Sequence, residues 1–335
     1  ERVYEMLQVE YNGQATATMV KDFYTGKRVF RYNFEQLVKE FFVDRRLMLE
    51  VGQITESTLD VQLNYAKNFE EFLEKRKYKG LSPSAFEEDK MDEFQHYLIA
   101  AKMGPAHTRK HLVWVKALYK HSLKKKRLKF NPIMDYEIGG DGVIPDTSHL
   151  TVEQLKRLVS FDFNALVSQG FIKQSTAEKC DRERDAFVFN CFTGMHHCDY
   201  SDKSFRIERY FDAIFLKGCR RKTNKEFMVK LLEPAIKILE KYDGKIQNLP
   251  IKSNQKRNDA LKQVAVLVNI PVLLTTKIAR KTFADIALNE LMMDSEDVQA
   301  CLGLTSGRYL AHYVRLREKR LMQKMSSWND VLKSA

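Results

Sequence analysis

Long apolar runs are missing from this 335-residue sequence, and none approaches the roughly 20 residues that a membrane-spanning helix needs. The opening ERVYEM is charged where a secretory leader has its apolar core, so no leader is read there. Because the chain starts on Glu1, it reads as trimmed from something longer. Cysteine is scarce and irregular: Cys180, Cys191, Cys198, Cys219 and Cys301 include no C-x-x-C pair and are odd in number. That argues against a disulfide framework or a zinc module and predicts a reducing, cytoplasmic setting. HHCD, His196–Asp199, has metal-binding residue types but no second ligand cluster at a useful spacing, so no metal is expected. Internal repeats and low-complexity segments are also missing.

The most informative lack is of acid. Between Phe94 and Met134 there is no Asp or Glu, while Lys102, Arg109, Lys110, Lys116, Lys120, Lys124, Lys125, Lys126, Arg127 and Lys129 supply ten positive charges. This one segment carries most of the net +12. Solvated surfaces normally mix charge signs, so a one-sign segment predicts an anionic partner and points to phosphate contact.

What is present is mostly helical periodicity with one small sheet. Residues 1–30 have weak periodicity and read as short strands, a tail, or the remnant of an upstream arm-binding module. Residues 31–135 read as a helical basic domain. Its helices are FEQLVKEFFVDRRLMLE, STLDVQLNYAKNFEEFLEKRKY with Ser57 and Asp60 at capping-box-like spacing, AFEEDKMDEFQHYLIAAK, and the basic GPAHTRKHLVWVKALYKHSL. On the last, Leu112, Val115, Leu118 and Tyr119 make a core stripe, leaving Arg109, Lys110, Lys116, Lys120, Lys124 and the following Lys125 as candidate phosphate contacts. Residues 136–149, rich in glycine and proline, read as a linker.

The second domain, 150–335, opens at Thr151 and Gln154, again at capping-box spacing. ERDAFVFNCFTG reads as a buried helix stopped by Gly194. YFDAIFLKGC and EFMVKLL read as a hairpin bearing Lys222 at its turn. Helices follow at EPAIKILEKY, NDALKQVAVLV, LTTKIARKTFADIALNEL, SEDVQACLG and RYLAHYVRLREKRLMQKM. In LTTKIARKTFADIALNEL, Ala279, Phe283, Ala284, Ala287, Leu288 and Leu291 share an apolar arc at about 100° per residue, and Arg280 falls inside it. A guanidinium there either snorkels to water or is paired internally.

In order, CFTGMHHCD, the hairpin KT, PIKSNQKRNDALK, TTKIARKTFAD, CLGLTS and YLAHYVRL resemble the tyrosine recombinases, particularly integrases of bacterial mobile and conjugative elements. The similarity runs from about residue 150 to 325, and the preceding basic domain resembles the family's core-binding domain. The resemblance implies a helical domain plus an α+β catalytic domain clamping duplex DNA. It also implies a tyrosine that attacks the scissile phosphate without metal, ATP or another cofactor. On that pattern Tyr313 is the nucleophile, Arg280 the second arginine and Lys222 the hairpin lysine. The first arginine is replaced by His196, the histidine before the second arginine by Lys277, and the histidine after LG by Leu304. Lys277 stands where it can replace the cation lost at His196. Thr275 or Thr276 would cap the Arg280 helix and leave its first N–H groups for a phosphate. Two functions remain open: a nucleoid-associated site-specific recombinase with an altered site, and a DNA-binding or regulatory relative that no longer cuts. The tail SSWNDVLKSA is expected to dock on a second copy on DNA.

Overall fold

The computed structural model describes residues 2–11, 13–25, 32–140, 142 and 144–325. The tail SSWNDVLKSA lies outside the described residues. Contacts divide the chain into two units, residues 1–144 and 145–335.

Among its described residues the first unit has helices and no strand. It contains α1 (Arg2–Glu10), α2 (Ala17–Tyr24), α3 (Phe34–Glu50), α4 (Glu56–Lys75), α5 (Glu88–Ala100) and α6 (Pro105–Lys124). Short strands are therefore not formed over residues 2–10 and 17–24, which are helical: α1 buries Leu7, and Thr16 caps α2. Weak periodicity hid α1 and α2 because each spans only two or three turns, too few for a repeat to stand out. The cap of α4 also moves from the expected Ser57 to Thr55, whose side chain accepts from the Thr58 backbone N–H at 3.3 Å. Phe34, Phe69, Phe72, Phe86, Phe94, Trp114 and Tyr119 fill the core, Phe69 meeting Phe34, Phe94 and Trp114 edge to face and stacking on Phe72. Leu112, Val115 and Leu118 join them from α6.

The second unit contains α7 (Val152–Ser160), α8 (Phe163–Ser168), α9 (Gln174–Thr193), α10 (His197–Asp202) and the strands β1 (Phe205–Tyr210), β2 (Ala213–Cys219) and β3 (Glu226–Lys230). It continues with α11 (Glu233–Lys241), α12 (Asn254–Leu267), α13 (Thr276–Asp285), α14 (Ser295–Leu302) and α15 (Glu318–Met325). Thr151 and Gln154 cap α7 reciprocally, as their spacing predicts. The sheet is an antiparallel meander β1-β2-β3. Sequence reading missed β1 and began β2 too early, because Phe211, φ 53°, sits in a tight turn inside YFD. Buried α9 is the central post, packed by α8, α11, α12 and α13.

Two helices differ from their periodicity. After α13 the backbone widens into one π turn, Ile286–Glu290. The expected helix over 308–325 is instead a 3-10 turn, Gly307–His312, then a break through Tyr313–Arg317, then α15. Among the described residues no helix is long and apolar enough to cross a membrane.

Candidate active site

Arg280 does not snorkel: it is 5% exposed and paired inside. Its Nη1 donates to the Gly194 carbonyl at 2.6 Å and its Nη2 to the Leu302 carbonyl at 2.8 Å, while the guanidinium lies 4.8 Å from the Tyr313 ring centroid. Gly194 permits this approach. It ends α9 with φ 61°, and a Cβ there would sit 2.7 Å from Phe283 and 2.9 Å from Leu302. The expected capping threonines do not cap α13. Asn258 of α12 accepts from the Thr276 N–H at 2.9 Å, and Asn254 accepts from the Thr276 hydroxyl at 2.7 Å. The first free N–H of the helix is thus satisfied from α12.

A second buried guanidinium stands beside the first. Arg220, at the base of the β2–β3 turn, donates through Nε to the same Leu302 carbonyl at 2.8 Å, through Nη2 to Cys301 O at 3.1 Å and through Nη1 to Asp199 Oδ2 at 3.1 Å. Its face covers the Phe227 ring at 3.9 Å. Burial, and then the neighbouring Arg280, pull its pKa down to about 10, and Asp199 opposes them. It stays charged at neutral pH. The other Asp199 oxygen accepts from the Arg221 backbone N–H at 2.9 Å, so a single carboxylate holds both the side chain and the turn.

Two adjoining clefts share these groups. One, of about 400 Å³, is lined by His196, Arg220, Lys222, Arg280, Leu304, Tyr309, His312 and Tyr313 among others. The other, of about 380 Å³, takes in His196, Arg280 and Tyr313 and adds Lys277 and Lys281. Lys281 already faces a carboxylate, Asp146, at 2.8 Å. His196, Lys222, Lys277, Arg280 and Tyr313 therefore converge, although they come from four separate stretches. His196 is a poor stand-in for a cation. Although its side chain is exposed, desolvation, then Arg280 close by, lowers its pKa from the ordinary 6.5 and disfavours the charged imidazole. His197 turns away and bonds Lys252 O at 3.0 Å. Among the described residues no group of three or more His, Cys, Asp or Glu is placed to hold a metal.

No family model matches the sequence, and a search of curated proteins finds no match. Solved structures do match. The XerH site-specific recombinase, in a post-cleavage complex with palindromic difH substrate, aligns at TM-score 0.61 and 14% identity over 81% of this chain and 80% of its own. The Tn1549 transposon integrase with circular-intermediate DNA aligns at 0.58 and 14% over 84% and 97%. A lambda integrase dimer bound to a COC′ core site aligns at 0.62 and 12% over 94% and 85%. The chain has the tyrosine recombinase fold. At these identities the likeness fixes backbone architecture and leaves side-chain roles to be argued from the site itself.

Within the tyrosine recombinase fold, sequence reading missed Arg220, and it also missed His312, which lines both clefts beside Tyr313. The available signals were RRKT, with arginine two residues before Lys222, and AHY, with imidazole directly before the tyrosine. The basic residues of the first unit separate into two sets. Arg109, Lys110, Lys116, Lys120 and Lys124 fall within about a third of the α6 circumference at 100° per residue. Lys110, Lys120 and Lys124 are exposed without an ion pair among the described residues, and Arg109 reaches Gly139 O at 3.3 Å. Lys116 is an internal clasp, donating to Tyr136 O at 2.6 Å and Met134 O at 3.0 Å. Lys125 is paired with Asp44 at 2.7 Å.

Proposed function

We propose that this chain is a site-specific DNA strand transferase of the tyrosine recombinase kind, binding duplex DNA and cutting through Tyr313. The observation that carries this reading is the tyrosine lying against one buried guanidinium, with a second guanidinium pinned to the same carbonyl. Arg280 Nε is buried without a hydrogen-bond partner among the described residues, a donor left unsatisfied. The Tyr313 hydroxyl gives its proton to His312 beside it in the cleft, its oxygen attacks phosphorus, the bond to the 5′-oxygen breaks, and Lys222 gives that oxygen a proton. The product is a 3′-phosphotyrosine and a free 5′-hydroxyl. Arg280 and Arg220 hold the non-bridging oxygens as charge develops. The basic face of α6 supplies sequence-independent phosphate contacts.

The test is a duplex nicked beside its recombination site, which traps a covalent intermediate. The native chain should form a Tyr313-dependent adduct, and Tyr313→Phe should form none. The competing reading, a DNA-binding relative that no longer cuts, is favoured by His196, whose charged form is disfavoured, and by Leu304 where the family has an imidazole. Salt-sensitive DNA binding without any adduct would establish it.

A further inference from the structure

The helix that would ordinarily have carried Tyr313 breaks there, and the surrounding contacts show what replaces it. Asn289, fully buried on the π turn, donates to the Arg315 carbonyl at 2.9 Å and accepts from the Arg317 backbone N–H at 3.2 Å. Its amide thus satisfies the chain two and four residues beyond Tyr313 as a neighbouring strand would. Asn289 also donates to Asp285 Oδ1 at 2.9 Å, and Asp285 Oδ2 pairs with the Arg317 side chain. Glu290 accepts from Arg317 at 2.8 Å and from Lys319 at 2.5 Å, and Arg320 donates to Leu288 O. On the other flank, Leu310 and Val314 sink into a small core with Ala284, Ala287, Leu288, Val298 and Leu302.

Every one of these anchors belongs to α13, its π turn or α14. The segment bearing Tyr313 is therefore fastened to the helix that carries Arg280. An uninterrupted α-helix would turn residue 289 away from the register it now has, since a π turn adds a residue to the turn. The π turn and the break at Tyr313–Arg317 are two halves of one arrangement.

We propose that Asn289 is the positioning residue for Tyr313: through the backbone of residues 315 and 317 it sets where the phenol lies over Arg280. This rests on the reading of Tyr313 as the nucleophile. Asn289 itself touches neither the ring nor the cleft. Displacing a reacting group by about 1 Å can cost on the order of 10² in rate, so a clamp of this kind acts on the chemical step and leaves binding alone.

Two measurements on the full chain test it. In Asn289→Ala, amide hydrogen exchange read by mass spectrometry should quicken at least about 10-fold over residues 313–317 and stay unchanged in α9. On nicked duplex, single-turnover adduct formation at saturating DNA should slow by about 10², while DNA affinity stays within about two-fold. If Asn289→Ala unfolds the unit, Asn289→Ser decides, because its hydroxyl keeps a polar group in the site but is too short to bridge the backbone of residues 315 and 317; the same split between rate and affinity is expected. Native adduct rates in whichever variant folds would overturn the proposal. If the native chain gives no adduct, the nucleophile reading falls and the exchange arm alone decides: faster exchange confined to 313–317 supports the clamp, and unchanged exchange overturns it.

Discussion

Arg220 Nε and Arg280 Nη2 donate to one oxygen, the Leu302 carbonyl, each at 2.8 Å. Two guanidiniums so close repel, and the depressed pKa of Arg220 records part of that. They stay because Gly194 O, Cys301 O and Asp199 complete their hydrogen bonds. A second buried guanidinium beside Arg280 is thus delivered to the cleft that His196 and Tyr313 line, from the β2–β3 turn.

If Arg220 serves the reaction, Arg220→Lys should cut adduct formation on nicked duplex by about 10² to 10³, because one ammonium cannot reproduce the fork. DNA affinity should hardly move. His196→Arg, which adds a guanidinium to the same cleft, should add no activity and should lower the melting temperature, since a third cation would crowd Arg280 and Arg220. A gain of activity in His196→Arg would show that Arg220 does not fill the role.

Gly303 ends α14 at φ 57°, and a Cβ on it would lie 2.9 Å from Arg220 Cγ and Nε. Gly303→Ala should therefore destabilise the second unit by about 1 to 3 kcal/mol, from backbone strain and from the displaced side chain. Below its melting temperature the variant should bind DNA normally and react slowly. Normal reaction with the expected loss of stability would place Arg220 outside the chemistry.

Charge reversal at Lys110, Lys120 and Lys124 together should weaken duplex binding and flatten the dependence of log Kd on log salt by about 3, roughly one for each lost phosphate contact. Fluorescence anisotropy over a salt series measures this. Lys116→Ala should behave differently, lowering the stability of the first unit because it releases the carbonyls of Met134 and Tyr136. An unchanged salt slope in the triple variant would remove α6 as a contact surface.

His111 is buried, accepts at Nε2 from the Asn68 amide at 2.9 Å and donates from Nδ1 to His107 O at 2.8 Å. Burial, more than the opposing backbone bond, lowers its pKa below 6.5. The unfolded chain therefore takes up the proton more readily, and the stability this residue confers is complete above pH 6.5 and lost as pH falls through that value toward the folded pKa. Melting of the first unit should drop on going from pH 7.5 to 5.5, and His111→Gln should flatten the dependence. Equal slopes in the two proteins would show that other groups cause it.

Long, strongly periodic helices were legible: Phe34–Glu50 coincides with its pattern, and the inward place of Arg280 follows from its arc. Local periodicity reports which face of an element is buried, and nothing more distant. It could not show that Asn289 would pull residues 315 and 317 out of the helix that RYLAHYVRLREKRLMQKM suggests, because that competition is settled by residues 26 and 28 positions apart. Arg220 was illegible for a related reason. A charged residue at a strand end usually points to water, and only Asp199 and two carbonyls of a different element turn this one inward. Short α1 and α2 were hidden by their lack of length alone.

The β2–β3 turn has one fixed end. The Arg220 backbone donates to Lys225 O at 2.8 Å and accepts from Asn224 N at 2.7 Å, its side chain is immobilised, and Lys222 stands exposed two residues away. Two residues of extended chain reach at most about 7 Å. Lys222 is thus an ammonium on a short leash whose peg is a neighbouring arginine. Its ordering would cost only the entropy of a few torsions, and its effective concentration at the cleft remains high however freely its side chain moves. Shifting the peg would move the search volume of the lysine as well, so a lesion at Arg220 would be felt twice.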